Sequence, residues 1–227
     1  MYFAIVDESD PKIIGVRDGM NQLHLNENSF VSFDEYTEFM GFFEGTDYMN
    51  KKKLVPDFKV PDIKVFVRKL AKLTDFMTHD CLLLGMKYIV SSKVYSIFKK
   101  LNLNGVNFYP VKVYFNNVQI EDAYYLMQIL HIDYDGIVFD KSILVKNLHF
   151  KPEVIPVRNI KEYLETDKLD GLCQFKKLTL YREKLYNEEL INPRVSKLFI
   201  SELLRDIFVQ EDVSGIIIVE TNILEIE

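Results

Sequence analysis

Asp75, His79, Asp80 and Cys81 stand closest to a chemical grouping in this chain. Imidazole nitrogen, thiolate sulfur and carboxylate oxygen are the ordinary ligands of zinc and its neighbours, so these four could in principle hold a metal ion. No second histidine or cysteine group stands at supporting spacing: His24, His131 and His149 are dispersed and Cys173 is remote. A helix end or a turn is the plainer reading of 75–81. Asp133, Asp135 and Asp140 lie near Gly136 and are followed by Lys141 and Ser142. The twelve-residue calcium loop pattern and the glycine-rich phosphate loop are both missing there, which leaves a turn between strands.

The tandem pair PDFKV and PDIKV carries Asp57-x-Lys59 and Asp62-x-Lys64. Metal-dependent nucleases use an acid-x-lysine strand in which carboxylates hold Mg²⁺ and the lysine steadies developing charge. Such a core needs another acid upstream, Asp34 or Asp47, and two copies of one fragment match it weakly. The chain has no GxSxG, HExxH, Rossmann or Walker pattern, and its two thiols, Cys81 and Cys173, carry no local signature of cysteine–histidine catalysis. No catalytic, metal or cofactor-binding residue is therefore assigned, and the expectation is a protein that is not an enzyme.

The elements that would position any site are clearest at 87–130. Tyr88 to Val90 reads as a short strand, and Ser91 as an N-cap whose hydroxyl accepts from first-turn N–H groups. Val94, Ile97, Phe98 and Leu101 follow at helical spacing, Asn104-Gly105 stops the helix, and two long strands flank a polar turn at Asn116-Asn117. The unit recurs 110 positions later without a gap. Ser91 meets Ser201, Ile97 meets Ile207, Phe98 meets Phe208 and Gly105 meets Gly215. Ile89/Phe199, Val90/Ile200, Val94/Leu204, Leu103/Val213 and Val106/Ile216 also coincide. Two copies are too few for a solenoid and fit a duplicated strand–helix–strand element, 88–108 and 198–218.

Elsewhere, strands are expected at 2–6, 13–16, 30–33, 63–67, 174–181 and 216–219. Helices are expected from Asp34 to Gly45, with Tyr36, Phe39, Met40 and Phe43 as their apolar positions, and from Ile160 to near Asp170-Gly171. Residues 70–77 are ambiguous, 51–53 form a short basic run, and Pro152 and Pro156 mark an extended crossing. Frequent strands in mixed order give an α+β fold with a largely antiparallel sheet and capped helices. A poorly defined N-terminal region, 1–84, and a better defined one, 85–227, are expected, within one compact body or as two.

The chain has 227 residues, 48% of them apolar, with 17 Phe, 13 Tyr and no Trp. That is enough to bury a sizeable core. A net charge of −6 argues against a general nucleic-acid binder, which needs a basic face, and suits a basic partner. Two lone cysteines, no basic n-region before the first apolar run and no span-length apolar stretch predict a cytoplasmic protein without membrane association.

At several of these residues the chain resembles immunity protein family eleven of bacterial polymorphic-toxin systems. The similar pattern runs from Asp75-Phe76 through Ile89-Val90-Ser91, Phe108-Tyr109-Pro110-Val111-Lys112-Val113 and Tyr124-Tyr125-Leu126 to Asp135 and Asp140-Lys141-Ser142. It resumes at Leu198-Phe199-Ile200-Ser201-Glu202-Leu203-Leu204 and Ser214-Gly215, so the likeness covers roughly 75–145 and 195–218. The N-terminal third and 150–193 depart from the pattern. The resemblance implies a protein that binds the C-terminal domain of a cognate secreted toxin inside the producing cell and blocks it, with no cofactor. It carries over no toxin-contacting residue and leaves the oligomeric state open. The alternatives are a general protein-interaction module and, less well supported, a metal-dependent nuclease or hydrolase. If the immunity reading holds, exposed aromatics among Tyr36, Phe42, Phe43 and Tyr48 are the expected anchors, rimmed by Glu38, Glu44 and Asp47.

Overall fold

The computed structural model describes every residue except 46, 47, 49–54, 82, 84, 147–150, 171 and 172, and only the backbone of 167–170. The basic run 51–53, Asp47, His149 and Gly171 lie outside the described residues. In chain order the elements are β1 (Tyr2–Asp7), α1 (Pro11–Ile14), β2 (Leu23–His24), α2 (Phe33–Phe43), β3 (Ile63–Val67), β4 (Phe76–Thr78), β5 (Tyr88–Ser91), α3 (Ser92–Leu101), β6 (Val106–Phe115), β7 (Val118–Gln119) and β8 (Tyr124–Ile129). They continue with β9 (Ile143–Lys146), β10 (Glu153–Ile155), α4 (Ile160–Asp170), β11 (Cys173–Leu180), β12 (Leu190–Ile191), β13 (Leu198–Ser201), α5 (Glu202–Gln210), β14 (Ile216–Glu220) and β15 (Leu224–Ile226). The fold is α+β, with mostly antiparallel pairing.

Three expected elements change. Residues 13–16 are not a strand. Pro11 sits at the start of α1 with its φ already helical, Asp10 accepts from the Lys12 N–H at 2.8 Å, and Gly15 closes the turn at φ +81°. Residues 30–33 lead into α2 instead of forming a strand, and Ser32, not Asp34, is its N-cap, accepting from the Glu35 N–H at 3.2 Å. Asp34 occupies the first turn, where its charge suits the helix dipole. Helix α3 ends before Asn104: Asn102 takes the left-handed conformation at φ +49° and closes it, and Gly105 at φ +77° then turns the chain into β6.

The chain divides into two compact units, a larger one of Asp7–Leu130 with Ile207–Ile217, and a smaller one of Met1–Val6, His131–Asp206 and Ile218–Glu227. The 84/85 junction falls between β4 and β5, which are antiparallel neighbours in one sheet of the larger unit. That sheet runs β2-β3-β6-β8-β5-β4, with β7 added to β6 through a turn whose two central residues, Asn116 and Asn117, both have positive φ. Its two ends meet. The Gln22 N–H donates to the Thr78 carbonyl at 3.0 Å, Leu23 bridges His79, and the Asp80 N–H reaches the Leu23 carbonyl at 3.3 Å. The two ends of the sheet are thus joined through this short stretch, curling it toward a barrel. Leu23, Ile63, Val65, Met77, Ile89, Val113 and Leu126 are buried together in one core, and α2 adds Phe39 and Phe43 to it. Gln128, buried in this unit, is satisfied: Asn107 Nδ2 and Tyr109 Oη donate to its Oε1, and its Nε2 donates to Tyr48 Oη at 3.1 Å.

The two copies take the same secondary structure. At the 110-residue offset β5 maps onto β13, α3 onto α5 and the start of β6 onto the start of β14. Ser91 and Ser201 both cap, accepting from the N–H of Val94 and Leu204. Asn102 and Asp212 share left-handed angles, as do Gly105 and Gly215. Sheet order matches as well, β4-β5-β8-β6 against β12-β13-β1-β14. The inner strand that β8 supplies in one copy therefore comes from the opposite end of the sequence, β1, in the other.

In the smaller unit β12, β13 and β1 pair antiparallel, and a second sheet runs β10-β9-β11-β15 with β11 and β15 parallel. Leu178, Leu180, Ile191, Phe199 and Phe175 fill the core, and Tyr163 of α4 stacks on Phe175 at 5.7 Å. No helix of the described residues is long and apolar enough to cross a membrane.

Candidate functional site

The structure gives each member of the Asp75–Cys81 group a different partner. His79 is buried, and since a carbonyl only accepts, its Nε2 must donate to the Met86 carbonyl at 2.6 Å. Burial lowers its pKa, which favours the neutral ring. Asp80 accepts from the Leu25 N–H at 2.8 Å and meets His24 Nδ1 at 2.6 Å. Burial alone would raise its pKa, but those hydrogen bonds outweigh it and hold the carboxyl below its ordinary range. Cys81 Sγ lies 3.8 Å from Met40 Sδ, and burial, followed by the charges of Glu44 and Asp80, pushes the thiol up to about 11. A thiol in that state is a poor ligand and nucleophile at neutral pH. Among the described residues no group of three or more His, Cys, Asp or Glu is gathered to hold a metal ion.

Asp75 joins a different cluster, wholly within the larger unit. Its carboxylate accepts from Ser91 Oγ at 2.7 Å, Lys93 Nζ at 2.9 Å, and both the N–H and Oγ of Ser214 at 3.0 Å. Burial opposes the charge, yet the donors from Ser91, Lys93 and Ser214 leave its pKa lowered. The Ser91 proton points at a carboxylate already saturated with donors, so the serine is a cap and not an activated nucleophile. This cluster clasps the entry of α3 to the turn before β14.

The remaining candidates are also structural. Asp133 accepts from the Tyr134 N–H at 2.9 Å, Asp135 pairs with Lys184 at 2.6 Å and Lys141 pairs with Glu227. Ser142 Oγ donates to the Val138 carbonyl at 2.8 Å. Asp135 and Asp140 line a surface cavity of about 350 Å³ together with Tyr134, Phe139, Arg158 and Tyr181, a wall of mixed charge. Asp62 of the PDIK segment pairs with Lys112 at 2.6 Å on the surface. Asp57 and Asp34 contribute no metal group either, and Asp47 is outside the described residues.

The expected aromatic anchors are corrected. Phe43 and Tyr48 are fully buried, and Phe42 and Tyr36 are half-buried against the same core. Phe43 sits 4.8 Å from Phe39 and 5.2 Å from Tyr48, ring to ring, as core aromatics do. The side chains that α2 turns outward are others: Phe33 is 65% exposed and Val31, just before the cap, is 70% exposed. Glu38 and Glu44, the expected rim, are exposed, and so is Asp34. Glu27, Asp34, Glu35, Glu38 and Glu44 carry the only formal charges between residues 25 and 45, all negative.

No protein-family model matches this chain, and no curated protein matches its sequence. An aromatic ring held out in water is an unfavourable exposure of apolar area. Phe33 and Val31 thus stand exposed in a run, 25–45, whose formal charges are all carboxylates. Sequence pattern alone missed Phe33 because the aromatics around it invite one assignment for all. The signal that separates them is Ser32: once it is the cap, Phe33 is the first helical residue and lies roughly a third of a turn round from Phe39.

Proposed function

We propose that the protein is an immunity protein. It binds the C-terminal domain of a cognate secreted bacterial toxin one-to-one and covers it, in the cytoplasm of the cell that makes both. The observation that carries this reading is the outward face of α2, where Phe33 and Val31 stand exposed in a run of residues bearing carboxylates and no cation. The motif resemblance at 75–145 and 195–218 supports it, since those residues build caps, turns and core and leave a surface free for recognition. Occlusion asks for a rigid body and slow dissociation, and for no bond-making residue; toxin–immunity pairs of this kind are among the tightest protein complexes. A basic toxin surface, such as one that handles a polyanion, is the partner the α2 face fits. In this reading the protein is not an enzyme and needs no cofactor.

Growth rescue tests it. The toxin domain encoded beside this gene should kill an expressing cell, and the wild-type protein should restore growth. Phe33→Ser with Glu38→Lys, folded to wild-type levels, should not. Killing that is indifferent to the wild-type protein contradicts the proposal.

A further inference from the structure

A second exposed apolar centre lies in the larger unit, and its charge is opposite. Arg68 to Ala71 make a turn closed by the Ala71 N–H on the Arg68 carbonyl at 2.9 Å, and its third residue, Leu70, has φ +74°. That is the position where turns of this kind take glycine, and a leucine there costs about 1–2 kcal/mol. The side chain recovers little by burial, because Leu70 is 58% exposed. The neighbouring segment holds the turn in place: the Lys72 N–H donates to the Ile14 carbonyl at 2.8 Å, and Gln22 Nε2 to the Lys72 carbonyl at 2.7 Å. Gly15 approaches so closely that a Cβ there would lie 2.1 Å from the Leu70 carbonyl oxygen. A strained, outward leucine on a rigid base points to use.

The same two clamped segments expose Met20, Ile13 and Leu73. Lys12, Arg17, Lys69 and Lys72 are exposed in these segments; of the two carboxylates in 10–20 and 68–73, Asp18 is taken by Arg68 at 2.8 Å and exposed Asp10 accepts from the Lys12 N–H. In a chain of net charge −6 these two segments carry five cations against two carboxylates, a local positive excess around aliphatic side chains. The run 25–45, with α2 in it, is its complement in both respects: it exposes Phe33 and Val31, and its five formal charges are all carboxylates.

We infer that the protein associates with a second copy of itself, the Leu70 turn of one copy docking on the α2 face of the other. Opposite charge rings steer the encounter and the apolar centres are covered on contact. The inference is independent of the toxin reading, though a toxin seated on α2 would compete with the second copy.

Sedimentation velocity of the full chain tests it, from about 5 to about 500 µM protein. In about 0.01 M salt, where the screening length is about 30 Å, association is expected; in about 1 M salt it should weaken by about tenfold or more. Leu70→Gly should keep or raise Tm, since glycine relieves the backbone, and should remain monomeric; Leu70→Asn, also at ease with positive φ, should do the same. Phe33→Ser should be monomeric too. An equimolar mixture of Leu70→Gly and Phe33→Ser should associate again, because each retains the face that the other has lost. A monomer at every concentration, association untouched by Leu70→Gly, or a mixture that stays monomeric overturns the inference.

Discussion

Helices α3 and α5 follow strands of the same length and begin under the same serine cap. They bury the same positions, Val94 and Phe98 in one, Leu204 and Phe208 in the other. They differ where the positions face water or the cap's partner. Lys93 of α3 is replaced by exposed Leu203 and Lys99 by exposed Val209. Ser91 donates to Asp75, which also holds Lys93 and Ser214, whereas Ser201 donates to Glu189, for which no further donor of this kind stands alongside among the described contacts. The comparison teaches that capping, left-handed turns and core volume set what the two copies share, while solvent-facing positions were free to diverge.

The largest effect should come from the shared core. Phe98→Ala and Phe208→Ala should each lower stability by about 3–5 kcal/mol in urea unfolding. Their rings lie 6.0 Å apart, so the double variant should fall short of the sum, and strict additivity would break the comparison. Next are the paired glycines. Gly105→Ala should cost about 1–2 kcal/mol from its left-handed angle alone. Gly215→Ala should cost about 3 kcal/mol or more, because its Cβ would meet the Phe76 carbonyl oxygen at 2.0 Å. Equal losses would show that the close approach is unimportant.

The carboxylate clasps come third. Asp75→Asn should cost about 2 kcal/mol at pH 7 and Glu189→Gln about 1 kcal/mol. The folded pKa of Asp75 is depressed, so its contribution is present above the unfolded value near 3.9 and is lost as pH falls from there through the folded pKa. The gap between wild type and Asp75→Asn in urea midpoint should therefore narrow as pH falls below about 4; a gap constant down to pH 3 would sink this assignment. The smallest effect belongs to the surface. Phe33→Ser should change stability by less than about 0.5 kcal/mol, against the several lost at buried Phe43.

The duplicated module was legible because its determinants are local: Ser91, Val94, Phe98 and Gly105 announce cap, stripe and turn within one short stretch. The joining of the larger sheet's two ends was not, since it depends on Leu23 meeting His79 through a two-residue strand that carries no periodic pattern. Strand expectations failed at 13–16 and 30–33 because β-prone side chains there are overruled by Pro11 and by the cap at Ser32. Exposure along α2 was half legible: Glu38 and Glu44 are exposed as expected, but Phe43 is buried and Phe33 exposed, a difference set by helical phase and not by residue type, and Tyr48, beyond the helix, is buried as well.

The most direct test of the immunity proposal is calorimetric titration of a purified candidate toxin domain, taken from a gene adjacent to this one, into the wild-type protein and into Phe33→Ser. A one-to-one complex in the nanomolar range or tighter, weakened about 30-fold by the substitution while Tm stays unchanged, is the predicted result. No binding by the wild-type protein, or the same affinity for both proteins, would contradict the account.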